Sequence, residues 1–374
     1  MKIIMLTPWF PDDRQKNHGI FISQQAQAIS RVHEVVVLSS KIDYAHFSFC
    51  SFEIKSVTNN LVIEHRLLIK KSLPVYNQLN YFLVSLWVSF KIASKFRPDL
   101  IHANIGYPGG FWGWMLSRLI RRPFIVTEHN SFFINNFRSS LHRITTLFAL
   151  RRAASVVTVG DQSRSVMQNI LKRPVLVVPN IVRVERFGIK SVASGIVQIG
   201  FLGGLSSPKH PKGLDILIKC LGKVNFDFVL RIGGGGEMLP YYKEMASREL
   251  KEGSYIFHDF IEPDEVPTFM SHLHFFVNCS QHESFGIAIA EALASGVPVL
   301  GFRNGGGENF VESGGCLLID KNESALLDGL KQMQLNYQSY DRQKMRNYIV
   351  DHYSEAAFEK NMNDVYLSIS RVKN

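Results

Sequence analysis

Phe275-Phe-Val-Asn-Cys-Ser-Gln-His-Glu283-Ser-Phe-Gly286-Ile-Ala-Ile-Ala-Glu291-Ala-Leu-Ala-Ser-Gly296-Val-Pro-Val-Leu300 decides how the second half of the chain folds. Phe275–Asn278 reads as a short buried strand, and a polar turn follows that ends at Gly286. Ile287–Ser295 is alanine-rich and strongly helix-forming. Gly296 supplies a C-terminal stop, and Val297-Pro-Val-Leu300 begins the next strand. A glycine at the start of a helix leaves free backbone N–H groups where an anion can sit. Glu283 and Glu291 are eight residues apart, about 12 Å if counted as helical rise. Glu283 then stays in the loop while Glu291 projects from the second helical turn. A diphosphate on that N-terminus has one carboxylate near each end, which suits the hydroxyls of a sugar on one side and of a ribose on the other. Taken alone, the same two residues also fit a capping carboxylate and a solvent-facing helical glutamate.

The chain's 374 residues suffice for two domains, and 46% hydrophobic with 20% charged residues is the balance of a soluble globular protein. The longest apolar run, Tyr81–Phe90, is broken by Ser85 and Ser89 and falls short of a membrane span. Met1–Pro8 reads as a first strand rather than a signal peptide. Cys50, Cys220, Cys279 and Cys316 are scattered without metal-ligand spacing, so a reduced, cytoplasmic protein is expected. The net charge of +10 is uneven: residues 1–180 hold 22 Lys/Arg and 9 Asp/Glu, a surplus of +13. It concentrates in Arg118–Arg122 and Arg138–Arg152. In the latter, Leu141, Ile144, Leu147 and Phe148 among arginines form an amphipathic pattern suited to anionic lipid headgroups, a peripheral contact at the inner face of the plasma membrane. An ordinary solvated basic helix is the alternative. Nucleic acid is not expected, because no recognition motif accompanies the charge.

Strands and helices alternate along both halves, predicting α/β domains with parallel, doubly wound sheets. In the first half Ile3–Leu6, Glu34–Leu38, Leu100–Ala103, Phe124–Thr127 and Ser155–Val159 read as strands. Phe52–Val57 and Leu61–Leu68 read as two more, paired with each other. Such sheets bind ligands beyond the strand C-termini. Gly19, Asn104 and His129 each follow a strand end. Pro179-Asn180 and the polar stretch to Ser194 read as a linker, after which the pattern restarts at Val197–Leu202. Gly233–Gly236 does not fit a dinucleotide fingerprint, since no acidic residue follows a second strand at the expected distance. No Asp-x-Asp occurs, so a metal-dependent nucleotide-sugar site is not expected, and no cofactor is. Lys209 and Lys212 follow the first strand of the second half and can supply a cation to a departing diphosphate. Glu355–Val372 is a final helix long enough to return to the first half.

With these parts in place the chain resembles glycosyltransferase family 4, whose E-x7-E motif and tail appear as Glu283-Ser-Phe-Gly, Glu291-Ala-Leu-Ala-Ser-Gly-Val-Pro-Val, Gly305-Gly-Gly-Glu308 and Gly315-Cys-Leu-Leu. Thr7-Pro-Trp-Phe-Pro11 with Gly19 resembles the family's first loop, His33-Glu-Val35 and Pro98–Ala103 its next strands, and Thr127-Glu-His129 its histidine loop. Pro179-Asn180 with Phe187 resembles the hinge, Lys212-Gly213 the phosphate lysine and Tyr353–Tyr366 the closing helix. The resemblance implies a GT-B fold: two facing Rossmann-like domains, 1–180 for the acceptor and 181–354 for the nucleotide-sugar donor, with helix 355–374 crossing back. It implies that Glu283 contacts the donor sugar and Glu291 the ribose. Backbone N–H groups of Phe285, Gly286 and Ile287 would hold the diphosphate with Lys212, and the backbone of Phe260 and Ile261 would face the base. Gly19 would pack against the phosphates, and His129 would sit beside the anomeric carbon. Where the family usually has Gly-Arg-Leu, this chain has Gly203-Gly204-Leu205, so a phosphate-binding arginine is missing and Lys209 is the candidate substitute. Glu308 aligns with one residue of slack and receives no role, and Gly160 stands where a serine is common.

The implied reaction is metal-independent hexosyl transfer, with retention, from a UDP- or GDP-sugar to a hydroxyl of a saccharide or lipid-linked saccharide. Cell-envelope polysaccharide or lipopolysaccharide synthesis is the expected setting. No second carboxylate is evident for a double displacement. A front-side reaction is what the resemblance implies, with domain closure about Asn180 and the final helix on donor binding. Two alternatives are a nucleotide-sugar epimerase of the same fold and an inactive sugar-nucleotide-binding scaffold subunit.

Overall fold

The structure, a computed structural model, describes residues 1–12, 18–48, 51–129, 140–191, 195–206 and 212–371. It divides into two compact units, Met1–Ile181 with Glu355–Asn374, and Val182–Ser354. The first unit runs β1 (Lys2–Thr7), α1 (Ile20–Ile29), β2 (Glu34–Phe47), β3 (Phe52–Asn59), β4 (Val62–Lys71), α2 (Pro74–Phe96) and β5 (Leu100–Asn104). It continues through α3 (Phe111–Ile120), β6 (Phe124–Glu128), α4 (Ser140–Arg152), β7 (Ser155–Thr158), α5 (Asp161–Leu171) and β8 (Leu176–Val177). The second unit holds β9 (Val197–Leu202), α6 (Leu214–Leu221), β10 (Phe228–Gly233), α7 (Leu239–Glu249), β11 (Tyr255–Phe257) and α8 (Val266–Met270). It closes with β12 (Phe275–Asn278), α9 (Ile287–Ala294), β13 (Val299–Phe302), β14 (Cys316–Ile319), α10 (Glu323–Asn336) and α11 (Arg342–Tyr353). A last helix, α12 (Glu355–Arg371), belongs to the first unit.

The sheet orders are β3-β4-β2-β1-β5-β6-β7-β8 and β11-β10-β9-β12-β13-β14. Both are parallel apart from the antiparallel edge pair β3/β4. Near-continuous apolar strands such as Ile3-Ile4-Met5-Leu6 need cover on both faces. Ile4, Leu6, Ile101 and Val126 pack beneath Val88, Trp112, Leu150 and Met167 from α2 to α5. Ile3, Met5, Leu100 and Ile125 pack on the opposite side beneath Ile22 and Ala26 of α1 and Phe358, Met362 and Tyr366 of α12. Polar groups tie α12 down: Tyr366 Oη lies 2.7 Å from His102 Nδ1, whose Nε2 lies 2.7 Å from Thr127 Oγ1, and Asn363 Oδ1 lies 3.0 Å from His33 Nε2.

Strand positions follow the sequence reading, apart from the length of β2. β2 runs to Phe47 rather than stopping at Leu38, because its ladder with β4 continues past the polar Ser39-Ser40-Lys41 segment that breaks the apolar pattern. α2 starts at Pro74, a residue suited to the first turn of a helix. In α4 the expected amphipathic face is divided. Leu141 and Ile144 are 66% and 64% exposed, whereas Leu147 packs on the core and Phe148 meets the Trp114 ring at 4.8 Å. Arg138 lies outside the described residues.

The order of each sheet reverses between β1 and β5 and between β9 and β12, the two positions where an open α/β sheet leaves a crevice at its strand C-termini. Tyr366→Phe removes the hydroxyl that satisfies buried His102 and is expected to lower stability by about 1–3 kcal/mol. Urea unfolding reads this, and an unchanged midpoint contradicts the tether.

Candidate active site

In the second unit the loops after β9 and β12 are brought together by close backbone approaches. Gly213 precedes α6 at φ +78°, and a Cβ there would lie 2.1 Å from the carbonyl oxygen of Cys279, the residue that follows β12. That approach sets the preceding Lys212 beside the β12 loop. Its methylenes rest on Gly203, and its Nζ donates to Glu283 Oε1 at 2.7 Å. The two side chains are 34% and 17% exposed, so the pair is part-shielded yet open on one side. Glu283 has a glycine floor, because a Cβ on Gly306 would come within 2.5 Å of its own Cβ. Its N–H donates to the Asn304 carbonyl at 3.1 Å. Asn304 in turn donates to Asn278 Oδ1 and the Ser280 carbonyl at 2.8 and 2.9 Å, while its Oδ1 accepts from Gly306 N–H at 3.0 Å. Asn309 donates to the carbonyls of Phe285, Gly305 and Gly306.

α9 begins at Gly286, φ +87°, with no side-chain cap and no acidic residue in its first turn. The first-turn N–H groups therefore lack the usual side-chain acceptor. Phe285 is buried with its ring 5.4 Å from Phe310 and 5.5 Å from Tyr353, so its backbone, not its side chain, is what the site can use. Ile287 is exposed. Glu291 stands on the second turn, and among the described residues its carboxyl has no hydrogen-bond partner. Burial pushes its pKa up to about 7, opposed in part by Arg186, which is itself paired with Asp264.

The glycine run after β10 is a packing device. A Cβ on Gly234 (φ +142°) would meet the Gly203 carbonyl oxygen at 1.9 Å, and one on Gly233 would meet Ile261 at 2.5 Å. The chain after β9, β10 and β11 is thereby drawn together, leaving Phe260 55% exposed. Gly203, Lys212, Glu283, Phe285 and Gly286 thus form one group, with Ile287 and Glu291 along α9 and Phe260 and Ile261 on a neighbouring loop. Lys209 lies outside the described residues.

Gly19, Asn104 and His129 form a separate group in the first unit. Gly19 caps α1 at φ +71°, where a Cβ would meet the Trp9 carbonyl at 2.6 Å, and the following helix sets Phe21 4.7 Å from the His129 ring. His129 Nε2 donates to Asn104 Oδ1 at 3.0 Å. Burial, with a smaller contribution from His102, lowers the His129 pKa to about 3, so the imidazole is neutral near pH 7. Among the described residues His129 Nδ1, Asn104 Nδ2 and Gln25 Oε1 are buried without a hydrogen-bond partner of good geometry, although the nearby Asn180 side chain opposes the lowering of the His129 pKa in small part. A cavity of about 930 Å³ opens nearby, lined by Trp9, His18, Lys41, Tyr81 and Tyr107 among others. Among the described residues no group of three His, Cys, Asp or Glu is placed to hold a metal ion.

Asn304, Asn309 and Gln25 are absent from the sequence reading. Asn304 was signalled by Asn-Gly after a strand, a turn pattern, while Gln25 sits in an apolar helical repeat that hides it.

Comparison with known proteins places this geometry in a class. Residues 199–351 match the model of glycosyl transferases group 1, and residues 19–186 match that of glycosyltransferase family 4. A glycosyltransferase of Methanocaldococcus jannaschii, itself uncharacterised, is 26% identical over 300 residues, covering 78% of this chain and 79% of that one. A sucrose-phosphate synthase from Thermosynechococcus elongatus superposes with a TM-score of 0.80 at 16% identity over 100% of both chains. HepE from Anabaena, solved with UDP, superposes with a TM-score of 0.74 at 17% identity over 98% of this chain and 100% of its own. These neighbours share the GT-B fold. The chain belongs to glycosyltransferase family 4.

The raised Glu291 pKa has a signed consequence. Between the ordinary value of 4.5 and about 7 an unfolded chain ionises this carboxyl before the folded one does. Its contribution to stability is therefore present below pH 4.5 and lost as pH rises through about 7. Glu291→Gln should remove that component. The variant-minus-wild-type difference in unfolding free energy should grow across this window and level off above it. A difference independent of pH contradicts the burial of an uncharged carboxyl.

Proposed function

We propose that this glycosyltransferase moves a hexosyl group, with retention at the anomeric carbon, from a UDP- or GDP-sugar to a hydroxyl of a saccharide or lipid-linked saccharide acceptor. The observation that carries this reading is the Lys212–Glu283 pair beside the uncapped N-terminus of α9, with Glu291 one turn further on. A diphosphate presents more charge to Lys212 than a single carboxylate does. On its arrival Lys212 would turn to the phosphate oxygens, leaving Glu283 to accept hydrogen bonds from sugar hydroxyls. The first-turn N–H groups at Gly286 and Ile287, with the adjoining Phe285 backbone, would add donors and a favourable dipole. As the bond to the anomeric carbon breaks, charge accumulates on the leaving diphosphate, where Lys212 and these N–H groups are already placed. Ribose hydroxyls donating to Glu291 would favour its ionised form and lower its pKa.

The first unit is assigned the acceptor. His129 stays neutral and offers Nδ1 as an acceptor for a sugar hydroxyl, so it positions or stabilises the reacting sugar rather than serving as the sole base. The leaving-group oxygen would take the acceptor proton in a front-side reaction. Gly19 is assigned to the phosphate side, and Phe260 and Ile261 to the base. No metal or other cofactor enters this scheme. Scattered cysteines and a basic first half fit a cytoplasmic enzyme of cell-envelope polysaccharide or lipopolysaccharide synthesis.

Purified protein is assayed with labelled UDP- and GDP-sugars and an envelope extract. Lys212→Ala should lower kcat by about 10²–10³-fold, and Glu291→Ala should weaken nucleotide binding by roughly ten- to a hundredfold. Unchanged constants in both variants overturn the site assignment. Donor binding without label transfer to any acceptor would favour the scaffold reading, and recovery of an epimerised donor would favour the epimerase.

A further inference from the structure

We infer that α2 and the arginine groove beside α3 form a docking surface for an anionic phospholipid bilayer. Tyr76, Leu79, Leu83, Trp87 and Phe90 are each between 43% and 58% exposed. At 3.6 residues per turn they fall within about 80° of arc and extend about 21 Å along the helix. Hydrophobic residues on the outside of a helix usually occur singly, whereas five at helical spacing are a continuous stripe. The opposite face of the helix is accounted for, since Tyr81, Val88 and Ala93 are in the core. The stripe extends onto the edge ribbon: Phe52 of β3 meets Trp87 edge-on at 5.8 Å, and Ile54, two residues along the same face, is 44% exposed.

Charge selects the occupant. α2 contains no acidic residue, and Lys91 Nζ lies 3.7 Å from the centroid of the Trp87 ring, with exposed Lys95 one turn further on. α2 packs against α3 through Phe82 and Phe111 at 5.3 Å, and Phe111 stacks on Trp114 at 5.4 Å. Trp114 lines a groove of about 540 Å³ with Arg118, Arg121, Arg122 and Arg152, and no carboxylate is among its lining residues. None of these four arginines forms an ion pair among the described residues. Unpaired guanidinium groups in a groove beside an apolar stripe with aromatic residues match a phosphate headgroup layer above acyl chains. A second copy of this chain would instead bring the same surplus of positive charge against itself. Among the described residues no helix is long and apolar enough to cross a membrane, so the contact lies in the interface plane. The surface differs from the α4 face suggested by sequence, whose apolar residues are partly turned inward.

This inference does not depend on the sugar-transfer reading, and its test keeps the two apart. Full-length protein is floated with vesicles of phosphatidylcholine and with vesicles of phosphatidylcholine mixed with phosphatidylglycerol, alongside light scattering without lipid. Wild type should partition to the phosphatidylglycerol vesicles. Leu83→Glu/Trp87→Glu should reduce partitioning by about tenfold or more. Arg118→Ala/Arg122→Ala should reduce it roughly thirtyfold, from about 1 kcal/mol per basic residue near an anionic surface. Nucleotide binding and thermal unfolding of both variants report whether the fold and donor site are intact. No wild-type partitioning, or variants that partition like wild type, overturns the proposal. So does a wild-type dimer that the Leu83/Trp87 variant converts to monomer without any lipid binding.

Discussion

The close contact between Gly213 and the chain leaving β12 is the constraint on which the site in the second unit depends. It permits no side chain, and it places a lysine from one connection against a carboxylate from another, 71 residues away in sequence. With Gly306 beneath Glu283 and Asn304 and Asn309 fastening the loop, the ion pair sits on a preformed backbone. The arrangement holds a cation and uncapped helix N–H groups in one place, so little reorganisation is required when an anion arrives. A part-exposed pair of this kind contributes little to stability, which points to positioning as its main effect.

Much of the site in the second unit was legible because its chemistry is local. Glu283, Gly286 and Glu291 fall within nine residues, and the strand, loop and helix around them follow from composition alone. What could not be read were contacts made across the chain. The two asparagines act through carbonyls that only the folded loop brings within reach, and the run Gly233–Gly236 proves to be about how closely neighbouring loops approach.

The first unit was less legible, for a different physical reason. An apolar residue in a helix carries the same signal whether it faces a core or the outside. The run from Tyr81 to Phe90 is a single apolar stretch in sequence, yet Leu83, Trp87 and Phe90 are exposed while Tyr81 and Val88 are buried. In α4 the reverse holds: residues grouped by sequence as an outward face are divided by contact with Trp114. Among the described residues the polar cluster of Gln25, Asn104 and His129 leaves buried atoms without partners, a feature that no apolar pattern in the sequence announces.

The central claim is that the α9 N-terminus, with Lys212, receives the donor's diphosphate. Backbone amide NMR of the ¹⁵N-labelled protein tests it most directly, titrating uridine, UDP, guanosine and GDP in the presence of a chelator. The account predicts that at least one diphosphate shifts the Gly286 and Ile287 amide resonances well beyond the shift its parent nucleoside produces. Binding of a diphosphate that leaves both resonances in place would contradict it.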